Sequence, residues 1–131
     1  MSQQLIGQGP GNLVPDSEVK QFLANGAVVK GDVLALTGTT GYTVDQCTAT
    51  TKPIGVAAES GTDVWIDVVV SGFCSYITTD GGVAAGQALI PAAAGVCDSE
   101  TLDTNPAFEF GLALAADVST VLSAALIFKT I

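Results

Sequence analysis

The chain has 131 residues, 48% of them hydrophobic, and sets 13 Asp and Glu against four Lys, with no Arg and no His, for a net charge of −9. That length and apolar fraction furnish one compact domain with a core. The negative field excludes nucleic acid and disfavours anionic membrane surfaces, and the lack of His removes Ser/His and Cys/His pairs and the commonest metal ligand.

Residues 1–18 hold Ser2, Gln3, Gln4, Gly7, Gln8, Gly9, Pro10, Gly11, Asn12 and Pro15, a composition that cannot make a core element, and they read as an extended arm. No basic residue precedes Lys20 and no long apolar run follows Met1, so synthesis without Sec export is expected. Leu5, Ile6, Leu13 and Val14 have nothing local to bury them and are candidate docking residues on a neighbouring surface. Asp16–Asn25 fits a capped helix or a strand with Val19, Gln21 and Leu23 on one face, and the strand reading is preferred.

Short β-prone runs then follow at spacings of about ten residues, broken by Gly, Thr, Asp and Pro. They predict strands at Ala27–Val29, Val33–Leu36, Tyr42–Val44, Ile54–Ala58, Val64–Val70, Gly72–Ile77, Ala88–Ile90, Ala107–Ala115 and Val121–Thr130. In TDVWIDVVV the alternation puts Val64, Ile66, Val68 and Val70 on the core face and Asp63, Trp65, Asp67 and Val69 opposite. Phe108, Phe110, Leu112 and Leu114 are expected in the core, followed by Leu122, Ala124, Leu126 and Phe128. The last stretch, Gly111 to Ile131, is interrupted by Asp117, Ser119, Thr120 and Ser123, which favours two strands over a membrane span. The expectation is an all-β fold: a single small β-barrel or β-sandwich domain at 19–131 behind the arm at 1–18.

The order of elements recurs. Val28 and Gly31 match Val83 and Gly86, each 55 residues on; Gly55 matches Gly111 at 56 and Val64 matches Leu122 at 58. A near-constant offset predicts two related halves, in each of which a Gly makes a turn before a strand.

The succession VVKGDVLAL, PIGVA, VVVSG, VAAGQALI and FGLALAA, from about Val28 to Lys129, resembles a family of small tailed-bacteriophage proteins that decorate the capsid exterior, the head cement proteins. The resemblance implies a β-rich homotrimer on the outside of the virion, made in the host cytoplasm, with the major capsid protein and its own copies as partners. It further implies an N-terminal segment that engages the shell. The chain departs from the family in having no Arg and in an acidic insertion, Asp98 to Asp103.

Other chemistry is weaker. Asp63 and Asp67, four residues apart on a strand, stand about 13 Å apart, too far for glycosidase geometry. They read as a solvated or subunit-facing surface, on which the lone Trp65 is an interface anchor. Asp98, Glu100 and Asp103 lack the pattern of a calcium loop, and the glycines of TGTTG and TDGGVAAG lack the Lys and Ser/Thr of a phosphate loop and read as hairpin turns. Cys47, Cys74 and Cys97 lack CxxC spacing and read as small buried apolar residues. Lys20, Lys30, Lys52 and Lys129 are scattered, as befits salt-bridging roles. No cofactor, metal or catalytic residue is expected. The alternative is a carbohydrate or host-surface adhesin stacking ligands on Trp65 with Tyr42 or Tyr76.

Overall fold

Val, Ile and Thr in short runs closed by Gly favour pleated backbone over helix. The computed structural model describes residues 17–100 and 106–130. Among these, in chain order, are β1 (Ser17–Ala24), β2 (Ala27–Val28), β3 (Val33–Leu36), β4 (Thr43–Gln46), β5 (Gly55–Ala57), β6 (Gly61–Thr62), β7 (Trp65–Cys74), β8 (Ile77–Thr78), β9 (Ala88–Ala92), β10 (Val96–Ser99), β11 (Gly111–Ala113), β12 (Val121–Leu122) and β13 (Ala125–Ile127). Two 3-10 turns, Ala93–Gly95 and Pro106–Phe108, are the helical elements among the described residues.

The all-β expectation and the strand reading of the segment after Asp16 both hold. Ser17 and Glu18 already pair with Gly72 and Ser71, so the ladder starts inside the stretch read as arm. Leu5, Ile6, Leu13 and Val14 lie outside the described residues, as does Asp103 of the acidic loop.

Strand β7 organises the molecule. Along one edge it pairs antiparallel with β1, from Ser17↔Gly72 to Leu23↔Trp65; its other edge meets β5 at Val56↔Val69 and β13 at Leu126↔Phe73. β1 pairs parallel with β4 at Leu23↔Thr43 and Ala24↔Val44, and β4, β3 and β5 are joined antiparallel. The order β1-β4-β3-β5-β7 therefore returns to β1 as a closed ring, which leaves none of these strands as a free edge. Phe22, Leu34, Val44, Ile54, Ile66 and Val68 form its packed interior.

The second half repeats this construction with shorter ladders. The Val29 N–H donates to the Asp32 carboxylate at 2.9 Å, and the Ala84 N–H to the Gln87 side-chain oxygen at 2.8 Å. Gly31 and Gly86, at φ 93° and 88°, occupy the left-handed position these tight turns require, and their N–H groups donate to the Ala57 and Ala113 carbonyls. Ala35↔Asp45 in the β3–β4 ladder corresponds to Ile90↔Asp98 in β9–β10, and Leu23↔Trp65 to Thr78↔Val121. The parallel pairing Ala24↔Val44 is echoed by the single parallel bridge Thr79↔Cys97, which closes a second ring.

Superposing these registers places Phe22 on Ile77, Val28 on Val83, Leu34 on Leu89, Val44 on Cys97, Ile54 on Phe110 and Ile66 on Leu122, each pair buried. The two-half pattern expected from glycine spacing thus has a structural counterpart. One expected match fails: Ile66, not Val64, is the partner of Leu122, because Val64 precedes β7 and is 49% exposed.

The alternations also need correction. Ile66, Val68 and Val70 point into the first ring as expected, but Val64, expected on the same face, is exposed, and Val69 on the opposite face is buried as well, packed in the second cluster. In the second half Phe110 and the next residue, Gly111, are both buried, so the two-residue period changes phase there; Leu112 is partly exposed and Leu114 exposed. The break between β12 and β13 does the same to the last strand, where Leu122, Ala125 and Ile127 are buried and Phe128 is exposed. A period-2 reading assumes uninterrupted pleat, and both segments break it.

Candidate interaction surface

Comparing the halves separates what the architecture needs from what one half adds. Trp65 starts β7 and Tyr42 precedes β4, and Leu23 of β1 lies between them, its N–H donating to the Tyr42 carbonyl at 2.8 Å. The two rings stack, with centroids 5.6 Å apart and planes at 20°, and the residues are 51% and 50% exposed. By register their counterparts in the second half are Val121 and Gly95. The fold therefore does not require aromatic rings here, and a stacked, half-exposed pair is the kind of rigid anchor that protein interfaces use. Trp65 sits where the strand reading placed it; the stacking of Tyr42 upon it is a contact between positions 23 residues apart in sequence, which strand periodicity does not report.

The rim of this surface is acidic and tied down. Asp63, at φ 54° and outside any strand, accepts the Gly26 N–H at 2.7 Å; Asp67 accepts from Gln21 Nε2 at 3.3 Å while its own N–H donates to Glu59. Both carboxylates are thus engaged in surface hydrogen bonds of the first ring.

Tyr76 lies at a second place. Its ring edge packs against Gly31, and Lys30 Nζ stands 5.3 Å from the ring centroid. With Ala57, Val69, Phe73 and Ser17, Lys30 and Tyr76 line an open cleft of about 250 Å³. The other lysines also have partners: Lys20 and Lys129 pair with Glu18 at 3.3 and 3.1 Å, and Lys52 donates to the Ala107 and Glu109 carbonyls. Lys129 foremost, then Lys20, hold the Glu18 carboxyl below its ordinary pKa.

Cys47, Cys74 and Cys97 are free and buried, as their spacing led us to expect. Burial pushes the Cys47 thiol up to about 11 and the Cys97 thiol to about 12, from an ordinary 9.0, and raises Cys74 as well. The unfolded thiols therefore release protons first as pH rises. Stability conferred by the neutral thiols is complete below pH 9.0 and is lost as pH climbs through 11 to 12. Denaturant melts at stepped pH should show stability falling with a slope of up to about 1.4 kcal/mol per pH unit for each of these two thiols, and Cys97→Ala should make that fall shallower. An unchanged slope in the variant would refute the assignment.

Among the described residues no three His, Cys, Asp or Glu side chains converge to hold a metal ion, and no helix is long and apolar enough to cross a membrane. The Thr37–Gly41 stretch is the β3–β4 hairpin loop, and Gly81, Gly82 and Gly86 all adopt positive φ in the turns before β9.

No protein-family model matches the chain, and no curated protein matches it. Among solved structures it is similar to the head fiber gp8.5 N base of bacteriophage phi29, with a TM-score of 0.66 over 86% of this chain and 94% of that one, at 15% sequence identity. The two proteins share a fold.

Proposed function

We propose that this chain is a structural protein of a phage virion that binds the outer surface of the head as a homotrimer and stabilises it. The observation that carries this reading is the fold held in common with a phage head-fiber base over most of both chains. The chemistry of the surface supports it: an exposed aromatic anchor with an acidic rim suits packing on protein. Several modest contacts made by linked subunits add up through avidity, and the net charge of −9 favours solubility of an abundant surface component. The major capsid protein is the partner this reading requires, with Trp65 and the apolar residues Leu5, Ile6, Leu13 and Val14 as contacts.

Purified protein added to undecorated, expanded capsids should bind saturably. Deleting residues 2–16, short of the first paired residue Ser17, should leave the melting temperature within about 2 °C while weakening attachment at least tenfold, on the order expected when interface anchors are removed. Absence of binding at micromolar protein would overturn the reading. The exposed Tyr42–Trp65 pair also favours a second reading, a glycan-binding adhesin. A glycan array separates the two, since a head-binding protein should select no sugar.

A further inference from the structure

Among the described residues, the outer face of the first ring is covered and that of the second is not. Val33, Ala35, Val56 and Val69 point outward from the first ring, yet all are buried in the second cluster. At the margin of this cluster the hairpin between β9 and β10 packs on the end of β4, beside Cys47 of the same cluster. Cys47 Sγ lies 3.3 Å from the Ala92 carbonyl and 3.7 Å from that of Val96, and the Gly95 N–H donates to the Cys47 carbonyl at 3.2 Å. Gly95 lies close on Gln46, such that a Cβ there would stand 3.0 Å from its Cγ.

The repeat gives each of these positions a counterpart. Ala88, Ile90, Leu112 and Leu126 replace Val33, Ala35, Val56 and Val69, and all four are partly exposed. Beside them Leu114 and Phe128, at the positions of Ala58 and Ser71, are 44% and 42% exposed. The uncovered face is thus as apolar as the covered one, with bulkier side chains at most positions. Conversely, the counterpart of the β9–β10 hairpin is the β3–β4 loop, whose Leu36 and Tyr42 are exposed. One interface is made inside the chain, and its two unused halves remain at opposite ends of the repeat.

We infer that a second copy of this chain seats its Leu36–Thr43 hairpin on the Ile90–Leu112–Leu126 face, repeating between chains the contact made within each. Sizes complement: within the chain Gly95 opposes Gln46, and between chains Tyr42, at the Gly95 position, opposes Ser99, at the Gln46 position. A small residue meets a large one in both. The contact is head-to-tail and not a twofold dimer; in the homotrimer of the reading above it closes after three copies. The inference rests on the homotrimer reading above and supplies its contact residues.

Sedimentation of wild-type protein should show oligomers. Leu126→Asp, on the acceptor face, and Tyr42→Asp, on the donor hairpin, should each sediment as monomers with at least a hundredfold weaker self-association. Both positions are partly or half exposed, and circular dichroism with melting should show them folded; Leu112→Ser serves in place of Leu126→Asp if that variant is not. Mixed in equal amounts, the two variants should form one-to-one heterodimers and nothing larger, because each retains one intact half of the contact. A wild-type chain monomeric up to millimolar concentration, variants that associate like wild type, or a mixture without heterodimers would each overturn the interface. Capsid binding is read separately: oligomers of this kind that ignore capsids would count against the head-binding reading alone, and monomers that saturate capsids against this interface alone.

Discussion

Gly55→Ala is expected to lower the melting temperature by roughly 10 °C, although it adds a single methyl group. Gly55 lies in β5, paired with Leu34 on one side and next to the Val56↔Val69 pair on the other. A Cβ there would run into the Val69 carbonyl and stand 2.8 Å from Val68 Cγ1. The first obstacle is backbone of β7, which cannot rotate away, so β5 and β7 must part and weaken the ring closure. A cost of about 3 kcal/mol follows for such overpacking, and at this chain length each kcal/mol is about 3 °C. Gly111→Ala repeats the experiment in the second half, where the Cβ would meet the Leu126 carbonyl at 2.7 Å, and should be damaging to a lesser degree. Gly41, with nothing within 4 Å of its Cβ position, is the control and should tolerate alanine within about 0.5 kcal/mol. Equal melting temperatures for the Gly55 and Gly41 variants would show that the strands do not approach as described.

Phe110→Ala should destabilise the protein by about 4 kcal/mol, whereas Phe128→Ala should cost less than about 1 kcal/mol. Phe110 is 1% exposed and fills the second ring at the position Ile54 holds in the first; Phe128 is 42% exposed on the outer face. Truncating the first leaves a cavity among packed neighbours, and truncating the second removes surface that water already reaches. Urea titration of both variants gives the comparison directly, and similar midpoints would contradict the inward and outward assignments. These two residues carry the same weight in an alternation count, so the pair also tests where such counting stops working.

The alternation of Ile66, Val68 and Val70 was legible because that part of β7 keeps its pleat; beyond it the pairing with β1 skips Val70 and Gly72 takes a positive φ, yet the strand runs on to Cys74 through the break expected between Val70 and Gly72. The same reasoning misassigned Leu112, Leu114, Leu126 and Phe128 because β11 and β13 are only three residues each and the chain turns beside them. Strand β10 was missed altogether, since Val96 and Cys97 are followed by Asp98 and Ser99, a weak β signal that pairing with β9 overrides. Of the candidate contact residues Trp65 was legible as the lone Trp of a polar strand face. Tyr42 was legible as an aromatic residue and not as its stacking partner.

Composition, charge, the all-β class, the burial of three unpaired cysteines and the two-half pattern were determined by sequence, since each depends on residue type or on short-range periodicity. Ring closure through the β1–β7 pairing, the sharing of β7 between halves, the stacking of Tyr42 on Trp65 and the contrast between one covered and one bare outer face were decided only in three dimensions. The physical reason is that these depend on which surfaces meet across long chain separations. Two segments with the same local pattern differ in burial with the surfaces they meet, as Val56, fully buried, and Leu112, partly exposed, do.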